Sequence, residues 1–244
     1  MKISAILSDY DGTLAPEDVT REASRVPKDI QDALLRLSSS VPIGIVTSKD
    51  IGFIRPRTAF ARAWSCVSGI ETVLSDGRVF ATPVNGLHEA LQYVKQNNSG
   101  LTLELKRSTT GDVLGFSLDW RTAAPPAAEY IRTTIEALTR MGLTVVYDPT
   151  RPYVDFFGAK PDKGRAVREL KKLLGVSGHV LFMGNSITDN PAFEEADLAI
   201  CVAHGQELKE LKCGFMLRPD ELGGFLQSLA DDTLSLDLRT LTRK

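Results

Sequence analysis

Apolar residues fall along this chain in short runs that alternate with amphipathic stretches. Ile3 to Leu7 is an apolar run of the length expected for a strand buried on both faces. Pro27 to Leu37 places Ile30, Ala33, Leu34 and Leu37 on one side of a helix, and Val41 to Val46 reads as a second buried strand. A weaker helical stretch follows Asp50, then a strand ending near Val67. The run from Ile70 to Phe80, interrupted by Ser75-Asp76-Gly77, has the form of a hairpin. Strands alternating with helices predict an α/β fold whose parallel sheet is covered on both faces.

Between about Pro83 and Gly158 the rhythm changes. Helix (Leu87 to Gln96), strand (Leu101 to Lys106), strand (Val113 to Trp120), helix (Ala127 to Met141), strand (Leu143 to Tyr147) and strand (Tyr153 to Phe157) make two helix-strand-strand units. They predict a small α+β domain inserted into the first. Turn residues mark both junctions, Pro83-Val84-Asn85-Gly86 and Gly158-Ala159-Lys160-Pro161. From Asp162 the first rhythm returns: a helix to Leu174, strand His179 to Met183, a helix from about Thr188 and strand Leu198 to Val202. A short helix near Glu207, strand Gly214 to Leu217 and a helix from Pro219 to about Ala230 complete it. The expected division is a core over 1–82 and 159–230, an inserted domain over 83–158, and a tail over 231–244 with no firm period.

The 244 residues are 43% hydrophobic and 25% charged, enough apolar material for one large core or two modest ones, which argues against a disordered chain. A formal net charge of −2 gives no basic excess, so neither nucleic acid nor an anionic membrane surface is an expected partner. Cys66, Cys201 and Cys213 lie in or beside apolar runs at wide spacing and fit buried thiols in a reducing compartment. The opening run is too short, and too soon acidic, for a signal peptide or membrane span, so a cytoplasmic protein is expected.

Candidate chemistry starts at Ser8-Asp9-Tyr10-Asp11-Gly12-Thr13-Leu14, directly after the first strand. Carboxylates two residues apart point the same way if the strand persists, and the carboxyl end of a parallel strand is where open α/β sheets bind ligands. One carboxylate can attack phosphorus while the other protonates the leaving oxygen and later activates water. Gly12 lets the chain turn so that backbone amides face an anion. Repulsion between the two acids calls for a hard divalent cation, for which Mg²⁺ with a few carboxylate oxygens is suited. The alternative is an acidic Asp-Gly turn that caps the next segment.

Asp-Tyr-Asp-Gly-Thr-Leu resembles the first motif of the haloacid dehalogenase-like hydrolase superfamily. The resemblance implies Asp9 as nucleophile, Asp11 as acid and base and also a metal ligand through its carbonyl, and Gly12 and Thr13 among the phosphoryl contacts. Thr47, ending Ile43-Gly44-Ile45-Val46-Thr47, is similar to the family's second motif. A Thr there alone is more often a helix cap. Ser48 and Lys49 follow it as further contacts. Asp162-Lys163-Gly164-Arg165 resembles the third motif and implies that Lys163 offsets the charge of Asp9 and phosphate. A lysine opening a helix opposes the helix dipole and gains little stability there.

Gly184-Asn185-Ser186-Ile187-Thr188-Asp189 is similar to the family's Gly-Asp-x-x-x-Asp loop, with Asn185 where the first aspartate is usual. The implied Mg²⁺ ligands are Asp9, Asp11, Asn185 and Asp189, with a helix-capping role as the other reading of Asp189. Overall the resemblance implies a Rossmann-like parallel-sheet core with an inserted αββαββ cap domain of the sugar-phosphatase branch. Ser68-Gly69-Ile70-Glu71 and Ser117-Leu118-Asp119-Trp120-Arg121 are similar to segments of that branch, which makes Glu71 and Arg121 substrate-binding candidates. An exposed strand-end Arg is also commonly just solvated. Trp120 is expected in the core, and His88, His179 and His204 show no metal spacing.

The expected activity is a Mg²⁺-dependent phosphomonoester phosphatase for a small sugar phosphate, of the trehalose 6-phosphate or glycosyl-phosphoglycerate type, through an aspartyl phosphate. Alternatives are a phosphoglycolate phosphatase, a sugar phosphomutase, and a binding protein whose catalysis is weakened at Asn185.

Overall fold

A computed structural model describes residues 1–17, 19–97, 100–205 and 209–244; the short helix expected near Glu207 falls outside them. The chain begins with strand β1 (Ile3–Ser8), helix α1 (Lys28–Ser38), strand β2 (Ile43–Val46), the one-turn helix α2 (Ile51–Ile54) and strands β3 (Ala63–Cys66), β4 (Glu71–Leu74) and β5 (Val79–Ala81). A second group comprises α3 (Leu87–Asn97), β6 (Thr102–Arg107), β7 (Val113–Asp119), α4 (Ala128–Arg140), β8 (Thr144–Tyr147) and β9 (Tyr153–Phe157). The remainder is α5 (Lys163–Leu173), β10 (His179–Gly184), α6 (Asn190–Glu195), β11 (Leu198–Val202), β12 (Phe215–Leu217), α7 (Pro219–Asp231) and β13 (Thr242–Arg243).

Nine strands among the described residues form one sheet in the order β13-β12-β11-β10-β1-β2-β3-β4-β5. Pairing is parallel from β12 to β3, as the alternation of elements predicts, and antiparallel at both edges. The central strands are buried on both faces. Ile6, Ile43, Ile45, Leu181 and Met183 pack with the apolar stripes of α1 and α7, whereas Ala5, Leu7, Val46 and Phe182 pack with those of α5 and α6. Each fully buried Leu or Ile contributes about 1.5–3 kcal/mol, so this two-sided burial outweighs the polar residues carried just beyond the strand ends.

The second group forms a separate antiparallel sheet, β6-β7-β9-β8. Its strands alternate. Phe116, Leu118, Val154 and Phe156 face α3 and α4 together with Trp120, which is a core residue. The other face carries Glu104, Lys106, Ser117, Asp119 and Asp155, one polar residue at every second position. Of these, Lys106, Ser117, Asp119 and Asp155 are buried, so this polar face is covered. The chain enters and leaves this segment side by side, with Asn85 N donating to Gly158 O at 3.0 Å.

The stretch from Asp231 lacks a sequence period because main-chain bonds hold it. Ile3 N donates to Leu234 O, Leu236 N to Met1 O, and β13 adds an antiparallel edge to β12. Among the described residues no helix is long and apolar enough to cross a membrane.

Candidate active site

The site stands at the carboxyl ends of β1, β2 and β10, the centre of the sheet. Asp9 N donates to Met183 O at 2.9 Å, which carries the extended chain one residue past β1. Successive side chains then take opposite sides. Tyr10 is fully buried, its hydroxyl donating to Ser24 O at 3.2 Å and its ring edge-on to Phe53. Asp9 is buried as well, while Asp11 keeps a side-chain exposure of 28%. The core anchor at Tyr10 thus explains the spacing of the two acids.

After Asp11 the chain reverses: Gly12 N donates to Ala15 O, and Leu14 N and Ala15 N to Tyr10 O. Gly12 has φ +70°, and a β-carbon there would overlap the amide of Asn185. Glycine is needed on both counts. Its carbonyl accepts from His204 Nε2 at 2.5 Å, a contact that the histidine spacing gave no sign of. Thr13 is buried, and its hydroxyl makes no hydrogen bond among the described residues.

Thr47 is fully buried at the end of β2 and accepts from Lys49 N at 3.2 Å through its hydroxyl oxygen, which leaves the hydroxyl hydrogen to donate. The helix that follows is capped by Asp50, which accepts from Phe53 N at 2.8 Å, so the capping role does not fall to Thr47. Lys49 Nζ lies 3.6 Å from Asp11 Oδ2 and 3.9 Å from Glu104 Oε1. Ser48 offers its carbonyl to Lys106 Nζ at 3.2 Å.

Behind this loop, Val67, Ser68 and Gly69 all have positive φ (50°, 52° and 91°). For the first two this costs on the order of 1–3 kcal/mol each, and such strain persists only when neighbours over-determine it. Here they do: Val67 N donates to Lys49 O, Ser68 N to Thr47 O, and Ser68 O accepts from Asp162 N. The strained segment clamps the Thr47 loop to the start of α5.

Asp162 caps α5 by accepting from Arg165 N, which fixes Lys163 at the first helical position. Lys163 is buried, with Nζ 3.0 Å from Asp9 Oδ1 and 2.6 Å from Asp189 Oδ1. Burial pushes the Asp9 carboxyl up to about 7 against the pull of Lys163, with Asp189 and Asp11 adding to the rise. Burial alone would lower the Lys163 ammonium, but Asp189 and Asp9 outweigh it and hold its pKa above the usual lysine value. Lys163 therefore keeps its proton, and Asp9 holds one more readily than a free carboxylate does.

Asp189, expected as a metal ligand or as a helix cap, offers Oδ1 to Lys163 while Oδ2 accepts from the backbone amides of Asn185 and Ser186, both at 3.0 Å. It positions the lysine and the loop. Among the described residues no group of three or more His, Cys, Asp or Glu side chains is arranged to hold a metal. Asp9 and Asp11 nevertheless present hard oxygen donors, with the Asn185 side chain against the turn at Gly12, and Mg²⁺ typically takes one or two carboxylates plus phosphate and water. The residues fit that ion.

Glu71 and Arg121, expected to contact substrate, both have protein partners. Glu71 is buried on β4, and its Oε1 accepts from both the amide and the hydroxyl of Thr109, at 3.0 and 2.6 Å, tying the core edge to the β6–β7 hairpin. Arg121 is held by Asp119 through Nε at 2.8 Å and Nη2 at 2.5 Å. The residues that do cover the site from the second sheet are Glu104, Lys106 and Asp155. Arg21 bridges Glu104 and Asp50, and Lys106 Nζ lies 3.2 Å from Asp155 Oδ1, which also accepts from Ser117.

No protein-family model matches the chain. Solved structures do. A trehalose-6-phosphate phosphatase related protein aligns with a TM-score of 0.73 at 20% identity, over 94% of this chain and 98% of that one. A haloacid dehalogenase-like hydrolase from Bacteroides thetaiotaomicron aligns with a TM-score of 0.73 at 13% identity, over 93% of this chain and 100% of that one. The chain has the haloacid dehalogenase fold. Among curated proteins, a trehalose-phosphate phosphatase of Mycobacterium bovis is 25% identical over 208 residues, 78% of this chain and 50% of its own length. The chain thus spans about half the length of this relative. Within the haloacid dehalogenase fold, the four loops gathered here come from β1, β2, the start of α5 and the end of β10, with the antiparallel sheet placed like a cap above them.

Proposed function

We propose that this chain is a Mg²⁺-dependent phosphomonoester phosphatase that acts on a phosphorylated neutral sugar. One observation carries the reading: a buried Asp9 lies 3.0 Å from a buried Lys163 at the centre of the sheet, with the more exposed Asp11 two residues on. Asp9 Oδ attacks phosphorus, and the bond from phosphorus to the leaving oxygen breaks as Asp11 gives that oxygen its proton. Asp11 then takes a proton from water, whose oxygen attacks the aspartyl phosphate and releases inorganic phosphate and the Asp9 carboxylate. Thr47 donates to a phosphoryl oxygen, and Lys163 holds Asp9 in place and balances its charge. Asp9, the Asp11 carbonyl and Asn185 would hold Mg²⁺, which when bound would neutralise charge on the phosphoryl oxygens.

The cap-like face supports a neutral leaving group. Its cations each have a carboxylate partner, Lys106 with Asp155, Arg121 with Asp119 and Arg151 with Glu17, and its Glu104 is paired with Arg21 of the core. Paired charges of this kind offer donors and acceptors to hydroxyls with little net attraction for an anion. The names of the curated and structural relatives point the same way.

A phosphate-release screen tests this. Neutral sugar phosphates such as trehalose 6-phosphate should exceed phosphoglycolate in kcat/KM by at least about tenfold, the order expected from one unpaired charge at the leaving group. Lys106→Met should raise KM for the best sugar phosphate roughly tenfold and leave a small aryl phosphate nearly unchanged. Faster turnover of phosphoglycolate, or equal effects of Lys106→Met on both substrates, would remove the neutral-sugar reading. Phosphate released in less than the amount of substrate consumed would point to a mutase.

A further inference from the structure

Two arginines outside the site described above meet at a single oxygen. In the segment between β1 and α1, the carbonyl of Ser24 accepts from Arg25 Nη1 at 2.8 Å, from Arg57 Nε at 3.2 Å and from the Tyr10 hydroxyl at 3.2 Å. A carbonyl oxygen has two lone pairs, so three donors, two of them cationic, exceed what it can satisfy. We propose that Arg25 and Arg57 form a binding site for a phosphate dianion, either free or carried as a monoester. This site is independent of the function proposed above.

Like charges drawn to one atom repel unless a negative charge joins them. Among the described residues all the hydrogen bonds of both guanidinium groups go to main-chain carbonyls, and neither forms an ion pair. Burial and then the charge of Arg25 lower the Arg57 guanidinium from its ordinary value, with Arg21 adding to the fall and Tyr10 and Glu22 opposing it. The surplus at this point is therefore positive.

The pair is also held in advance. Arg57 lies over the Phe53 ring, 3.9 Å from its centroid, with Nη1 donating to Phe53 O at 2.8 Å, and Arg25 Nη1 reaches Glu22 O at 2.8 Å. A guanidinium fixed before its ligand arrives loses little side-chain freedom on binding. Each arginine spends two of a guanidinium's five N–H groups on carbonyls, which leaves the majority for a ligand. Arg25 is exposed and Arg57 half-buried, so solutes can reach them. The buried Ser24 hydroxyl, which has no hydrogen-bond partner among the described residues, is a further donor in the same segment.

Two monocations with several unused donors match the two charges and several acceptor oxygens of phosphate, whereas a carboxylate is already satisfied by one arginine. Tyr10 keeps this site apart from the catalytic acids. Its side chain leaves the strand on the side opposite Asp9 and Asp11 and ends on the Ser24 oxygen.

Titration of the metal-free protein with inorganic phosphate at constant ionic strength, read on the arginine Nε–H resonances, tests this. The Arg57 signal, identified by its absence in Arg57→Lys, should shift and saturate with a dissociation constant on the order of 1 mM. Arg25→Gln should weaken the response roughly tenfold, the loss expected when one charged partner is removed. Thr47→Val, which takes a phosphoryl contact from the catalytic centre alone, should leave it unchanged. Chloride at the same ionic strength should not reproduce the shift. A parallel titration with glycerol phosphate separates the two sources: tighter binding of the ester marks a phosphorylated metabolite as the ligand, and tighter binding of inorganic phosphate marks the free ion. A response that never saturates, an equal response to chloride, full affinity in Arg25→Gln, or loss of the response in Thr47→Val would each overturn the proposal.

Discussion

Asp9→Asn is expected to reduce phosphate release by at least about a thousandfold while the protein stays folded. The amide has the shape of the carboxylate but is a poor nucleophile, so no aspartyl phosphate forms. Stability should be kept because Lys163 retains Asp189 at 2.6 Å, and because burial already makes the Asp9 charge costly, as its rise to about 7 shows. Steady-state phosphate release and thermal unfolding of the same preparation check both halves. Near-wild-type turnover would eliminate Asp9 as nucleophile, and an unfolded variant would show that the charge is structural.

The second large effect is on stability. Lys163→Met leaves Asp9 and Asp189 buried with their shared cation gone, and breaking a buried pair in this way typically costs about 3–5 kcal/mol. The loss should depend on pH, with a sign set by Asp9. Its carboxyl sits near 3.8 unfolded and is pushed up to about 7 when folded, so between these values the folded state binds more protons. Stability through this group falls as pH rises across that window, more steeply once Lys163 no longer opposes the rise. Urea denaturation at pH 5.5 and 8 should therefore show the larger deficit at pH 8. Equal deficits at both pH values, or none, would mean that Lys163 is not the cation that neutralises this cluster.

Asp9, Asp11, Thr47 and Lys163 were legible in the sequence because each ends a strand or opens a helix, where a short local pattern fixes both the turn and the side chain. For Asp189 the position and its capping role were legible, whereas the contact with Lys163 was not, since only the folded loop brings that ammonium to its other oxygen. Glu104, Lys106 and Asp155 were missed for a different reason. Their strands alternate polar and apolar residues, the pattern of a sheet with one face in water, and only the placement of that face against the core turns the polar side into a buried one. The signal available was the charge: Lys106 and Asp155 lie at inward-alternating positions opposite a site already marked by two acids. The edge β13 is two residues long and is specified by its partner β12, so it left no period to read.

The neck at Asn85 and Gly158 has a consequence for how freely this architecture can vary. From the side of the core, everything between those residues is a closed loop whose ends are pinned by one 3.0 Å hydrogen bond. Loop-closure entropy grows only as the logarithm of length, about 0.6 kcal/mol for each doubling, so the length of the insert costs the core little; its fold matters more, because Thr109 and Lys106 bond Glu71 and Ser48 of the core. The catalytic loops are fixed by strands that never pass through the insert. Under the proposed function, a lengthened or shortened insert would therefore alter contacts to the leaving group while the loops that end β1, β2 and β10 keep their places.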